Sequence, residues 1–339
     1  ELSQLSNKAE LLCSRMNSTA TATLSMGGIV GKVEATDEID GNGTIVNYGT
    51  VYSNHQQYNN AYTAIGGVFG ESKASFKNVV NEGIAYYVVS NDTGVHKHIY
   101  VGGVVGYANG DITITSVTNN GDVYINGDKG NIANLVHYNL CVGGILGTNN
   151  DEKAVTIDSS TNSGTVAFTK LTNKANGRST AAGGIVGALT NGACSITNCD
   201  NTGCVSNANF NNTYDKFVIR TSGGGPHTGG IAGIVYGSAE DVISVANCTS
   251  VKTSGNDSGL LYQPAAANSG NRAVAGLIGT AQYADIKDCE CSTYIKNANS
   301  SPVAGLVVLL GNSNLEGCTV YNSKIEAGGN GVPYIVGLA

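Results

Sequence analysis

Apolar and polar residues alternate over short stretches along most of the chain, as in Ile112-Thr113-Ile114 and Cys194-Ser195-Ile196. A period of two predicts short strands with one buried face. β-Branched residues dominate the apolar positions, and Gly or Asn closes each stretch. Both residues tolerate positive φ, so they suit sharp corners. Beyond residue 17 no long helical period is present.

The stretches are organised into a repeat. Gly27-Gly28-Ile29-Val30-Gly31 recurs at Gly66–Gly70, Gly102–Gly106, Gly143–Gly147, Gly183–Gly187 and Gly229–Gly233. Looser copies begin at Ala275, Ala304 and Pro333. A second phrase, apolar-x-x-small-x-Asn-x-Gly-x-Val, follows the first. Examples are Ile114 to Val123, Ile157 to Val166 and Ile196 to Val205; the copy from Phe76 departs from it after Gly83. The last three copies keep mainly the front half, as Val245-x-x-Cys248, Ile286-x-x-Cys289 and Leu315-x-x-Cys318. Self-similarity at this period predicts a stacked array. The expected fold is an all-β parallel β-helix of about nine coils, a rod on the order of 40 Å long at the strand spacing of about 4.8 Å.

Successive copies lie 29 to 46 residues apart, so the excess over the shortest must leave the stack as loops. The longest are expected from about Ser206 to Thr228 and from about Lys252 to Val274. Residues 1–26 form a separate N-terminal element. Leu2, Leu5, Ala9, Leu12 and Met16 fall at roughly helical spacing, which predicts a short amphipathic capping helix. A degenerate first coil is the other reading. Residues 27–339 form the repeat domain. The final Ile335-Val336-Gly337 lies inside a repeat, so an uncovered last coil predicts further chain, a cap or another copy there.

The paired phrases resemble the GLUG-motif repeat of secreted and surface-anchored bacterial proteins, including adhesin-like ones. The resemblance spans roughly residues 27–339. It implies a β-helix on the cell surface, and it transfers no catalytic residues.

Composition agrees with an exported β-solenoid. Only 13% of residues are charged, Trp is absent and 47 of 339 residues are Gly. The net charge of −7 comes with no basic run, which argues against a nucleic-acid partner. The longest apolar run, residues 304–310, is too short to span a bilayer, so no transmembrane segment is expected.

Nine cysteines invite a disulfide or metal reading. Cys199, Cys248, Cys289 and Cys318 share one slot of the repeat, however, and Val79 and Val117 hold it earlier. A slot common to Val and Cys reads as a core position. Residues stacked with parallel Cβ vectors are poorly placed for disulfides. Cys13, Cys141, Cys194, Cys204 and Cys291 follow no zinc spacing. His96-x-His98 lacks a third ligand, and Asp37/Glu38/Asp40, Asp151/Glu152 and Glu240/Asp241 read as solvated corners. No metal and no cofactor are expected.

Seventeen tyrosines remain. Tyr58, Tyr62, Tyr86, Tyr87, Tyr138, Tyr214 and Tyr262 lie in or beside loops and are the candidate ligand-binding residues, since a tyrosine offers a flat apolar face with a polar tip. The expected function is non-catalytic: adhesion, binding of a glycan or a host or cell-surface protein, or a structural stalk. The alternative is a polysaccharide lyase or glycoside hydrolase, which needs convergent carboxylates or calcium with a basic residue on one face. Four scattered arginines and the missing polygalacturonase-like motifs weigh against it. Ice binding needs a Thr column running through the coils, and no such column is expected.

Overall fold

The structure is a computed structural model that describes residues 4–14, 23–54, 61–89, 98–127, 139–169, 179–206, 227–251, 260–263, 273–297, 302–327 and 335–336. Regular structure among the described residues is β throughout. One repeat shows the plan. His98–Gly102 ends in the first glycine of the Gly-Gly pair, and Val105–Ala108 follows the pair. Ile112–Thr115 and Thr118–Asn119 form two arms around a corner, and Val123–Gly127 closes the unit.

Each strand pairs in parallel with its equivalent in the neighbouring repeats. Four sheets result, of fifteen, nine, nine and eight strands, here called the corner, closing, pre-glycine and post-glycine sheets in that order. Repeats follow one another along each sheet in chain order, apart from the corner sheet, where each repeat contributes both arms. The arrangement is consistent with a β-solenoid.

The alternation explains the register. Phe76, Ile114, Ile157, Ile196, Val245 and Ile286 stack in one inward column. All are at most 1% exposed. A slip of one residue would turn the column outward, so burial holds the pairing. The corner between the two arms is left-handed: Asn78, Ser116, Ser159, Asn198, Asn247 and Asp288 have φ between 50° and 55°. Asn, Asp and Ser tolerate this conformation through short polar side chains. The residue after each corner then points inward, which buries Val79, Val117, Ser160, Cys199, Cys248 and Cys289.

Two expectations are corrected. The N-terminal helix is replaced by strands: Leu11–Cys13 pairs with Val51–Ser53, and Ser6–Asn7 pairs with Val46 and Asn47. A helix this short is marginal in isolation, whereas the strands satisfy an open sheet edge. Leu2 and Met16 lie outside the described residues. The loop expected over Lys252–Val274 contains the strand Leu260–Gln263, a rung of the closing sheet between Val205–Ser206 and Tyr294–Asn297. Leu310, in register with the buried Ala281, is 40% exposed.

Candidate functional site

The outward positions of the closing sheet bring Tyr52, Tyr86 and Tyr124 into one column. Their rings stack with centroids 4.6 Å apart and interplanar angles of 5° and 12°. The inner faces are therefore covered by neighbouring rings. Burial raises the hydroxyl pKa of Tyr86, and pushes that of Tyr124 up to about 12.

Tyr87 is a correction. One position along from Tyr86, it is fully buried in the core and presents no surface to a ligand. Strand alternation causes the difference. Tyr62 lies on the pre-glycine sheet and donates from its hydroxyl to Glu71 Oε2 at 2.8 Å. Its ring packs against Tyr107 and Tyr100, at 4.7 and 6.0 Å between centroids. Burial, then the contact with Glu71, raises its pKa. Tyr262 sits on the strand Leu260–Gln263, but its side chain lies outside what is described, as do Tyr58, Tyr138 and Tyr214 altogether. Among the candidates, the structure places Tyr62 and Tyr86 on the surface of different sheets.

Glu71 escaped the sequence reading. Its carboxylate is fully buried on the outer side of the post-glycine sheet. Oε2 also accepts from Ser25 Oγ at 2.9 Å, while Oε1 accepts from Asn109 Nδ2 at 2.7 Å and faces Lys32 Nζ at 3.4 Å. Lys32 has its pKa raised, first by Glu34 and then by Glu71. Four donors satisfy a buried carboxylate as burial requires, and they leave it no lone pair directed at a substrate. The only hint in the sequence is an acid directly after Gly70, where the equivalent positions hold Tyr107, Thr148 and Ala188.

The acidic corners do not converge. Glu38 pairs with Lys77 at 2.7 Å, and Asp40 accepts from Asn78 Nδ2 at 2.9 Å. That bond leads the lowering of the Asp40 pKa. Asp151 accepts from Thr190 Oγ1. Glu240 and Asp241 are exposed. His98 lies 3.4 Å from the Tyr100 hydroxyl through Nδ1; His96 lies outside the described residues. Among the described residues, no group of three or more His, Cys, Asp or Glu side chains is arranged to hold a metal ion. No described helix is long and apolar enough to cross a membrane.

No threonine column runs through the described corner strands: the register that starts with Thr113 and Thr156 continues as serine and then Asp285. Thr113, Thr156, Ser195 and Ser244 stand in register on the outside of the corner sheet.

The structure joins none of the nine cysteines in a disulfide. Cys199, Cys248 and Cys289 are fully buried and Cys318 is half-buried. Contact with Cys248, then burial, pushes the Cys289 thiol up to about 12, and burial pushes Cys141 up to about 12.

Between the two phrases of the repeat runs a seam of side-chain amides. Asn7, Asn47, Asn81, Asn119 and Asn162 each donate from Nδ2 to Oδ1 of the next, ending at Asn201, at 2.7 to 2.8 Å. From Asn47 to Asn201, each Nδ2 also donates to the carbonyl two residues on, at 2.7 to 3.2 Å. Ser250 and Cys291 continue the column without an amide.

No protein-family model, curated protein or solved structure matches the chain.

Proposed function

We propose that the chain is a non-catalytic repeat module, secreted or on the cell surface, built as a parallel β-helix of about nine coils of the GLUG type. It acts in adhesion as a rigid rod that carries binding loops. One observation supports this reading above the others. Nearly every long connection between consecutive described strands falls at the same junction, from the closing sheet to the pre-glycine sheet. The intervals Val89 to His98, Gly127 to Asn139, Thr169 to Ser179 and Ser206 to His227 all lie there. Variable segments presented along one side of a regular scaffold are a common arrangement for recognition.

The partner is a glycan or a protein of another cell surface, met by these segments. The test is a panel of plant, microbial and mucosal glycans with matrix proteins, scored for binding and for released products in the same wells, with and without calcium. Binding without products is the expected outcome. Products, above all calcium-dependent ones, would replace this reading with the polysaccharide-degrading enzyme.

A further inference from the structure

Four cysteines occupy one core column in consecutive repeats, and each makes the same contacts. Cys199 Sγ lies 3.1 Å from the carbonyl oxygen of Thr197 and 3.7 Å from that of Ile157 in the preceding repeat. Cys248 Sγ lies 3.3 and 3.5 Å from the carbonyls of Ala246 and Ile196. Cys289 repeats this with Lys287 and Val245 at 3.2 and 3.7 Å, and Cys318 with Glu316 and Ile286 at 3.4 and 3.8 Å. The Cys248 and Cys289 amides each donate to the sulfur of the next cysteine at 3.4 Å. Identical contacts imply identical rotamers, so the sulfurs repeat along the axis at the strand spacing of about 4.8 Å.

That spacing is wrong for a disulfide, which needs the two Cβ atoms about 3.8 Å apart and a dihedral near 90°. Parallel side chains give a dihedral near zero. The same spacing suits a different bond. A metal–thiolate bond of about 2.3 Å on each side of one ion spans about 4.6 Å. An ion on the axis would meet each Cβ–Sγ bond roughly at right angles, as a thiolate ligand prefers.

We propose that the Cys199–Cys248–Cys289–Cys318 column binds soft monovalent d¹⁰ ions, of the Cu(I) and Ag(I) class, linearly between successive sulfurs. Soft sulfur donors select such ions. Two donors per ion suffice, so no three-residue cluster is needed. Each ion displaces one thiol proton to solvent, which keeps the core column neutral. No oxidant or reductant enters. Entry is at Cys318, the half-buried member of the column.

The probe is Ag(I), added to the reduced chain after the reductant is removed. Native mass spectrometry counts ions and protons, ultraviolet absorbance reports thiolate–metal bonds, and far-ultraviolet circular dichroism reports the fold. The variant C248S/C289S leaves no two column cysteines adjacent. Serine already holds this slot at Ser160, buried within the stack, so the fold accepts it. Wild type should take up three more ions than the double variant, one proton leaving per ion, with the β signal unchanged. Should the double variant unfold, C318S should lose one ion. Equal stoichiometry in wild type and a folded variant, or uptake only as the β signal disappears, overturns the proposal.

Discussion

Gly103 packs directly against Asn119: a methyl group on the glycine would overlap Cγ of the asparagine and the carbonyl oxygen of Gly144. The second glycine of the pair and the asparagine of the following phrase are thus two sides of one contact. Gly28 meets Asn47, Gly67 meets Asn81, Gly144 meets Asn162 and Gly184 meets Asn201 in the same way.

Gly103→Ala should therefore cost about 3 kcal/mol, the upper part of the range for overpacking, because backbone atoms block relaxation. Gly43→Ala is the comparison. Gly43 has φ of +67° and no heavy atom within 4 Å of an added methyl, so it should cost about 1 kcal/mol from backbone conformation alone. Urea unfolding of the two variants decides. Equal losses would mean that the seam is looser than its contacts indicate.

The amide ladder should show position dependence. Asn119 accepts from Asn81 and donates to Asn162, both at 2.7 Å, whereas Asn201 is the last amide rung and makes one such bond. Buried groups left unpaired cost about 1–3 kcal/mol. Asn119→Ala should lower stability by about 3 kcal/mol, and Asn201→Ala by about 1 kcal/mol less. A larger loss at Asn201 would contradict a ladder in which interior rungs are doubly bonded.

Extension of the ladder is the converse experiment. Ser250 stands in register with Asn201, and its buried hydroxyl has no hydrogen-bond partner. Gly230 lies across it, as Gly184 lies across Asn201. Ser250→Asn should give the Asn201 amide an acceptor and raise stability by about 1 kcal/mol. The readout is the thermal midpoint, and a lower midpoint would show that the Ser250 site is too small for an amide.

Much of this architecture could be read from residue patterns, and the failures share a physical cause. Alternation in Ile112-Thr113-Ile114 correctly separated core from surface, and the Val/Cys slot correctly marked Cys199, Cys248 and Cys289 as buried. The same alternation, applied to Tyr86-Tyr87, would have sent only one ring outward; treating both as loop residues lost that. Leu5, Ala9 and Leu12 carry helical spacing, yet the exposed edge at Val46–Asn47 and Val51–Ser53 captures this segment as strands. The rung-to-rung contacts of the seam and most of the donors around the buried Glu71 come from residues far apart in sequence, as in Gly103 with Asn119 and Ser25 with Glu71. Local patterning carries no record of such distances.

His227 gives the fold a pH dependence with a definite sign. It is 8% exposed, its Nδ1 lies 2.6 Å from Thr280 Oγ1, and its column neighbours are Ala181 and Ala273. Neither alanine can compensate an imidazolium charge. Burial lowers its pKa from 6.5 to about 4. Between these values the unfolded chain binds the proton and the folded chain does not, so stability rises with pH across this window. The contribution is complete above about pH 6.5 and is lost as pH falls towards 4, amounting to roughly 3 kcal/mol at most. His227→Ala places in the column the residue that its two neighbours already use, so the variant should fold. Urea midpoints at pH 7 and pH 4.5 should fall much further for wild type than for the variant. Carboxylates common to both chains cancel in that difference. Equal falls would show that His227 is protonated in the folded protein and that the space around it admits water.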